Sequence, residues 1–531
     1  MSTAACWAES DYPDRGTGIV RNGTSFNYQR RPTIAAVAHR RTFRVMTSHA
    51  FTSEETSGSR LGRALHGLAE QHPGKAGFLT VSDGVDALAI RLLLADHAEY
   101  SIDAQYYEIE NDLAGHLFIE ALLRAAERGV RIRLLLDDYG TKGHDEDIAA
   151  LRAHPNFRMR IYNPFTRRIY RFIDGVLSFA RVNRRMHNKS FTVDNQLTIV
   201  GGRNIGDHYF SVGEDVNFAD LDVIGIGPVV SDVSRMFDSY WNSQAAIPVQ
   251  DMATRLGLPD VSLSKLVDRM SKSHARASES KYAGAVKNSM IENLEHDLSE
   301  FIWAPYELAF DLPEKTQPNR SNSGARIRKL LVQSFDNARE EVILISPYFV
   351  PRLSGIRRFR ELRKRGVEVT IVTNSLASNN QIYAHGGYAP VRKALLQMGV
   401  RLFELRADAL VVGEKHKRQN ATRATLHTKA FAIDRERIFI GSFNFDPRSA
   451  NINTEMGVFI DSSQLANAFI DSAKHHVPRQ SYEVKLSANG RLRWHGIDGD
   501  TEVVLDREPQ AGFWHRCAGH AARLLPIRGQ V

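Results

Sequence analysis

Two short segments of this chain carry the residue types of phosphoryl-transfer chemistry. One is His187-Asn188-Lys189-Ser190-Phe191-Thr192-Val193-Asp194; the other is His427-Thr428-Lys429-Ala430-Phe431-Ala432-Ile433-Asp434. Both read H-x-K-x4-D, and their histidines lie 240 residues apart (427 minus 187). A neutral imidazole is a competent nucleophile near neutral pH, because its pKa lies close by. A protonated imidazole is a general acid for a leaving alcohol and then a base for an incoming hydroxyl. Two histidines at one phosphate need opposite protonation states, which the phosphate charge and nearby carboxylates can arrange. Lys189 and Lys429 would offset the charge that spreads over phosphoryl oxygens.

Alternation within each motif puts His, Lys and Phe on one face of a strand. A second apolar strand follows each motif, then a turn with an amide: Gly201-Gly202-Arg203-Asn204 and Gly441-Ser442-Phe443-Asn444. Glycine there allows the backbone to approach a ligand closely. Gly202 and Ser442 are therefore candidate phosphate-binding positions, with the Asn204 and Asn444 amides as donors. A single such histidine is more often structural. Two copies in corresponding places, each trailed by a Gly-x-x-Asn turn, are more than chance supplies and mark both segments as candidates for catalysis.

The elements that must position these groups are also duplicated. Ser101–Tyr107 alternates like a strand, Leu117–Arg128 reads as an amphipathic helix stopped by Gly129, and Val130–Leu136 is the next strand. The order returns at Val342–Ile345, a helical stretch to Arg365, and Gly366–Val372. Gly129 and Gly366 are 237 residues apart (366 minus 129), matching the motif offset within a few residues. Strand, helix, strand implies βαβ units and a largely parallel sheet. The fold expected is α/β, with two pseudo-symmetric lobes. Each lobe is a mainly parallel or mixed sheet flanked by helices, and the site lies at the lobe interface.

The expected organisation is an extension over 1–60, disordered or loosely held, then a first lobe over 61–254. A connection with inserted helices follows over 255–325, a second lobe over 326–480, and a C-terminal segment over 481–531 with an amphipathic helix. The 531 residues carry a formal net charge of +8, which favours anionic partners without choosing lipid over nucleic acid. Cys6 and Cys517 lie in the terminal segments without metal-ligand spacing, so a reducing compartment is the default. No apolar run reaches the roughly 18–20 residues of a spanning helix, and no basic-then-apolar leader opens the chain.

The duplicated motif resembles that of the phospholipase D superfamily, over about residues 70–480. The resemblance implies two facing lobes and one shared site, with one histidine attacking phosphorus and the other protonating the leaving alcohol. It makes His187 the nucleophile, with the exchange of roles with His427 left open. It implies that Asp220 and Glu455 orient the histidines, with Asp222 a rival of Asp220. Asp194 and Asp434 complete the catalytic motifs in a supporting role, holding the strand and its turn. No metal or other cofactor is expected.

Three local features select among members of the superfamily. Apolar residues Ile169, Phe172, Ile173, Val176, Leu177 and Ala180 recur at helical spacing over 166–186, flanked by arginines. A basic amphipathic helix of this kind reads as a membrane-surface element or as a packed helix with solvated arginines. Phe443–Ser449 with Asn453 and Glu455 resembles the second-motif tail of cardiolipin synthases, and Arg185–Phe191, Gly201–Asp207 and Thr373–Ala377 with His385, Gly387, Tyr388 and Arg392 are similar to the bacterial C type in particular. Asn379-Asn380 departs from the acidic stretch expected there. Phe513, Trp514, Cys517, Ala521, Leu524 and Leu525 fall on one stripe of a C-terminal helix.

The resemblance implies transphosphatidylation. His187 would displace a headgroup alcohol, and a phosphatidylglycerol hydroxyl would then give cardiolipin. The donor would be phosphatidylethanolamine or a second phosphatidylglycerol. The partners implied are anionic and zwitterionic phospholipids and a membrane surface, met peripherally at the cytoplasmic face of the bacterial inner membrane, with no nucleic acid. A hydrolytic phospholipase D, a nuclease of the superfamily and a silent lipid-binding scaffold are the competing readings. Intact motifs weigh against the scaffold, and an apolar stripe among the arginines weighs against the nuclease.

Overall fold

Apolar runs rich in Val, Ile and Leu build two sheets, and caps and glycines set the ends of the helices between them. A computed structural model describes residues 47–166, 171–211, 216–256, 261–278, 298–317, 324–409, 423–498 and 501–523. The first ten strands are β1 (Ala76–Val81), β2 (Ser101–Glu108), β3 (Arg131–Gly140), β4 (Phe157–Tyr162), β5 (Ser190–Val193), β6 (Leu197–Gly201), β7 (Val216–Ala219), β8 (Asp222–Ile226), β9 (Ala246–Pro248) and β10 (Ile302–Ala304). Then come β11 (Tyr306–Phe310), β12 (Glu341–Ile345), β13 (Glu368–Asn374), β14 (Arg401–Leu405), β15 (Arg423–Leu426), β16 (Ala430–Ile433), β17 (Arg437–Gly441), β18 (Met456–Asp461), β19 (Ser481–Leu486), β20 (Leu492–Asp498) and β21 (Thr501–Leu505).

One sheet runs β10-β1-β8-β6-β5-β2-β3-β4-β9, the other β11-β18-β17-β16-β12-β13-β14-β19-β20-β21. Apart from β10, β20 and β21 the two orders correspond strand for strand. The duplication read in the sequence is therefore a duplicated sheet. Helices on the connections follow the same plan. Asp112 caps the helix Leu113–Glu127 by accepting from the Gly115 N–H, and Gly129, at φ +99°, lies just past its end. Gly366, at φ +87°, does the same after Leu353–Lys364.

The parallel part of each sheet is smaller than the βαβ pattern suggests. Among the described residues of the two large sheets only β2-β3-β4 and β12-β13-β14 are parallel. The motif strands β5 and β16 instead form antiparallel hairpins with β6 and β17. Asp194 and Asn195 turn the first hairpin with φ near +49° and +48°, and Asp434 and Arg435 turn the second at +53° and +56°. A hairpin needs such left-handed residues, so the motif aspartates serve local geometry.

Of the extension expected over 1–60, the described part begins at residue 47 and is tied to the first lobe. Arg133 donates to the Ser48 carbonyl at 2.9 Å, and the Ala50 N–H to Asp238 at 3.0 Å. The connection expected over 255–325 contributes the helix Leu263–Ser278 and an edge strand to each sheet, β10 and β11. The C-terminal segment extends the second sheet through β19, β20 and β21, and its helix spans Phe513–Ala522. Leu524 and Leu525 lie outside the described residues.

The lobes meet through backbone as well as side chains. β7 of the first lobe pairs in parallel with β15 of the second, ending at Ala219 opposite Leu426. A single parallel bridge joins Met186 to Thr454. These two contacts are pseudo-symmetric mates, each placing the residue before a motif histidine against the residue before a carboxylate.

Candidate active site

The site follows from those two bridges. The His187 N–H donates to the Thr454 carbonyl at 2.9 Å, and the His427 N–H to the Ala219 carbonyl at 2.8 Å. The next residues along the partner segments are Glu455 and Asp220. His187 Nδ1 meets Glu455 Oε2 at 2.8 Å, and His427 Nδ1 meets Asp220 Oδ2 at 2.5 Å. Each histidine is therefore held by the other lobe's carboxylate. A carboxylate on Nδ1 fixes the Nδ1–H tautomer and leaves Nε2 with its lone pair.

The backbone before each histidine is pinned in the same symmetric way. Asp137, on β3, accepts the Met186 N–H at 2.8 Å; Asn374, at the end of β13, accepts the Leu426 N–H at 2.8 Å. Asn374 also donates to the Leu426 carbonyl at 3.0 Å. Lys189 Nζ donates to the His187 carbonyl at 2.8 Å and lies 5.5 Å from the centre of the Tyr107 ring. Lys429 Nζ donates to the His427 carbonyl and sits 3.0 Å from His427 Nδ1.

Burial dominates the electrostatics. It pushes His187 down to about 4 against the pull of Glu455, and His427 well below its ordinary value, helped by Lys429. It lowers Lys189 to about 7 and Lys429 to about 8. Both imidazoles are thus neutral at pH 7, and both ammonium groups titrate near it. A phosphodiester anion between them would favour the protonated forms of all four.

The two carboxylates differ. Glu455 is held below the usual carboxylate value although buried, because His187, Lys189 and the Ser442 hydroxyl all favour its charge. Ser442 Oγ donates to Glu455 at 2.5 Å, and Ser449 Oγ at 2.7 Å. Asp220 is raised by burial, which Lys429 and Arg203 only partly oppose. Its neighbour in the turn is Gly202, where a Cβ would stand 2.4 Å from Asp220 Oδ1.

The two predicted phosphate turns lie directly against these carboxylates. Gly202 gives close approach to Asp220, and the Ser442 hydroxyl is committed to Glu455; these positions pack and hold the orienting carboxylates. Asn204 and Asn444 are both buried beside the turns, and Asn204 Nδ2 donates to the Tyr209 hydroxyl at 2.8 Å. Asp222 pairs instead with Arg91 at 2.8 Å and Arg203 at 3.2 Å. Asp194 accepts the N–H groups of Glu99, Tyr100 and Ser101 at the start of β2, and Asp434 those of Arg339, Glu340 and Glu341 at the start of β12.

Several neighbours escaped the motif reading. The Tyr107 ring stands edge-on to His187 at 5.2 Å, and Tyr209 edge-on to His427 at 5.1 Å. Phe218 stacks on His427 at 5.1 Å with only 9° between the planes. Ser449 was visible only as part of the run after Asn444. The basic stretch before His187 is broken as well. It forms two short helices, Arg171–Leu177 and Phe179–Val182, divided at Ser178, and the chain has left the helix before Met186 bridges Thr454. Residues 167–170 lie outside the described residues.

Two sheets that exchange carboxylates around paired H-x-K segments define a phospholipase D-like protein. A family profile described as "Cardiolipin synthase, PLD-like domain" matches residues 92–241 and 331–477, and the chain belongs to this family. It is 40% identical to cardiolipin synthase C of Escherichia coli (strain K12) over 88% of this chain and 99% of that protein. It is 24% identical to a cardiolipin synthase of Staphylococcus aureus (strain N315) over 70% of this chain and 62% of that one. In fold it is similar to the phosphatidylserine synthase of Haemophilus influenzae, with a TM-score of 0.52 at 14% identity over 80% of this chain and 92% of that one.

Proposed function

We propose that the protein is a phosphatidyltransferase that makes cardiolipin from phosphatidylglycerol and a second phospholipid. The observation that carries this reading is the crosswise pairing of His187 with Glu455 and His427 with Asp220. It leaves two Nε2 atoms for one phosphate, one to attack and one to manage the proton. The names borne by its relatives in the family supply the lipid class.

His187 Nε2 attacks phosphorus, and the bond to the headgroup oxygen breaks as His427 gives that oxygen its proton. A phosphatidylglycerol hydroxyl then attacks the phosphatidyl-histidine, loses its proton to His427 and frees His187. His187 is the nucleophile because the more firmly ionised carboxylate, Glu455, holds its Nδ1–H. Lys189, Lys429, Asn204 and Asn444 bind the phosphoryl oxygens. Tyr107, Tyr209 and Phe218 crowd the imidazoles and limit water, which would give phosphatidic acid instead.

The lipid is met from the cytoplasmic face of the inner membrane by peripheral contact. Phe172 and Leu177, on the short helix upstream of His187, are 83% and 70% exposed. Phe513 and Trp514 open the C-terminal helix at 64% and 80%. Among the described residues no helix is long and apolar enough to cross a membrane.

The test is purified protein with phosphatidylglycerol vesicles, with and without phosphatidylethanolamine, followed by separation of the lipids. Cardiolipin that vanishes in both His187→Ala and His427→Ala supports the reading, and its dependence on phosphatidylethanolamine names the donor. Phosphatidic acid alone makes the protein a hydrolase, and no lipid change at all defeats the proposal. A phosphoryl adduct trapped on His427 instead of His187 would reverse their roles.

A further inference from the structure

The two orienting carboxylates meet their histidines alike, but the segments that carry them are held by different means. Gly201 pairs with Asp222, which also faces Val81; Gly441 pairs with Gly457, which also faces Ala309. Val81 and Ala309 are therefore mates, and so are Asp83 and Asp311 two residues on. Counting forward from the two glycines makes Arg203 and Phe443 mates, and likewise Tyr209 and Ser449. In the first lobe one buried cation ties these segments together. Arg203 donates to the carbonyls of Val81 at 3.1 Å, Ser82 at 2.6 Å, Tyr209 at 3.2 Å and Asp220 at 2.8 Å. Phe443 carries no side-chain donor for that place in the second lobe.

A cation reaches it from the inter-lobe connection instead. Lys315, on the short 3₁₀ turn Pro313–Thr316, is fully buried, and its Nζ donates to the Ser449 carbonyl and to Asp311 Oδ2, both at 2.7 Å. Asp311 is equally buried. Its Oδ2 accepts the Glu455 N–H at 3.2 Å, and its own N–H donates to the Glu455 carbonyl at 3.0 Å. Its Oδ1 accepts the N–H groups of Arg326 at 2.8 Å and Ile327 at 3.2 Å, where the helix Ile327–Asn337 begins. Asp83 caps the matching helix, Gly84–His97, and is only half-buried. Two charges withdrawn from water are tolerated only where hydrogen bonds satisfy the rest of both groups. Here those bonds fall on the backbone around Glu455. First-lobe side chains brace the turn from the other side: Tyr162 and Thr316 share a hydrogen bond at 2.8 Å, and Arg184 donates to the Lys315 carbonyl at 3.2 Å.

We propose that Asp311 and Lys315 are a positioning pair for Glu455, doing for the His187 half of the site, from the inter-lobe connection, what Arg203 does for the His427 half. This role rests on the proposed orientation of His187 by Glu455. Asp311 fixes the Glu455 backbone through both its N–H and its carbonyl. Lys315 fixes the backbone of Ser449, whose hydroxyl donates to Glu455 Oε1 at 2.7 Å. Burial raises the Asp311 carboxyl, Lys315 opposes that rise, and the charge of Glu455 adds to it. Loss of Lys315 alone would therefore leave two buried acidic groups facing each other.

The test compares Lys315→Met with the double variant Asp311→Asn, Lys315→Met in the purified full chain. The single variant leaves a buried charge unpaired and should melt well below the parent; the double variant leaves none and should regain most of that loss. Its one amide oxygen cannot serve both the Glu455 N–H and the start of the helix, so Glu455 stays poorly held. In proton spectra of protein labelled with ¹⁵N-histidine, the deshielded Nδ1–H resonances of His187 and His427 are assigned by their loss in His187→Ala and His427→Ala. The double variant should broaden or shift the His187 resonance and leave that of His427 in place. Its phosphatidyl transfer should lose at least tenfold in kcat with KM within about twofold of the parent, the mark of an interaction made in the transition state. Lys315→Gln, a milder loss of charge, carries the same two readouts if the double variant does not fold. A parent-like kcat or an unchanged His187 resonance overturns the proposal, as does an equal change at both histidines. A His187 resonance that survives Glu455→Gln would instead overturn the orienting role of Glu455 on which the pair depends. The resonances need no lipid, so their outcome stands apart from that of the proposed reaction.

Discussion

At the scale of single residues, the two halves of the site are similar in plan and unequal in chemistry. Glu455 takes hydrogen bonds from His187, Ser442 and Ser449, whereas Gly202 offers Asp220 no hydroxyl. Glu455→Gln should lower kcat by about 10²–10⁴-fold, as expected for loss of a carboxylate that fixes an imidazole tautomer. Ser442→Ala should cost less. One hydrogen bond to a charged group contributes about 1.5–3 kcal/mol, so a loss of roughly ten- to a hundredfold with normal folding is expected from initial rates. The lysines add a pH dependence. With Lys189 near 7 and Lys429 near 8, rising pH removes positive charge from the free enzyme, so kcat/KM should fall between pH 7 and 9. Bound phosphate favours the ammonium forms, so the fall in kcat should lie at higher pH. Lys189→Arg should flatten the part of the profile that Lys189 governs, because guanidinium does not titrate there. The H-x-K motifs and the glycine turns are legible in the sequence, because residue type and spacing carry them. Which carboxylate serves which histidine is not, because the partners are 268 and 207 residues apart.

At the scale of elements, the repeat of strand, helix and glycine stop shows the duplication plainly. The sequence suggests a larger parallel sheet than forms, because an apolar run does not say whether its neighbour runs with it or against it. The hairpins β5–β6 and β16–β17 are set by the left-handed residues at Asp194-Asn195 and Asp434-Arg435, a local signal that the period-two pattern hides. The stretch before His187 shows the opposite failure. Its helical periodicity is real, but the helix is divided at Ser178 and ends at Val182, and the bridge from Met186 to Thr454 holds the last residues before His187 extended against the other lobe. The turn after β6 gives a prediction at this scale. A Cβ at Gly202 would meet the Asp220 carboxylate at 2.4 Å, so Gly202→Ala must push that side chain off His427 or move the turn. Activity should fall at least tenfold, with a melting temperature within a few degrees of the parent. Ser442→Gly at the mate position removes a hydrogen bond without a clash and should lose about as much activity as Ser442→Ala.

At the scale of the whole molecule, the proposed function requires that a site between two lobes face a bilayer. Two runs of exposed apolar residues stand close together in the chain, Phe172, Ile173, Leu177 and Phe179 shortly before His187, and Phe513 and Trp514 on the C-terminal helix. That helix packs through small residues: a Cβ on Gly519 would touch Leu376, and a Cβ on Gly386 would meet Ala522. Its Phe513, Trp514, Cys517 and Ala521 remain exposed. Burying an aromatic or leucine side chain in hydrocarbon contributes about 1.5–3 kcal/mol, and a basic residue near an anionic surface about 1 kcal/mol. Two such groups acting together make binding far stronger than either alone. Phe172→Ser with Leu177→Ser should therefore weaken cosedimentation with phosphatidylglycerol vesicles by at least tenfold, and Trp514→Ser alone by less. Added salt should weaken the parent and both variants alike, since the arginines remain. Turnover of a short-chain, water-soluble lipid should be unchanged in every variant, because none of these side chains touches the histidines. Vesicle binding equal to the parent in all of them would place the bilayer on another face of the molecule.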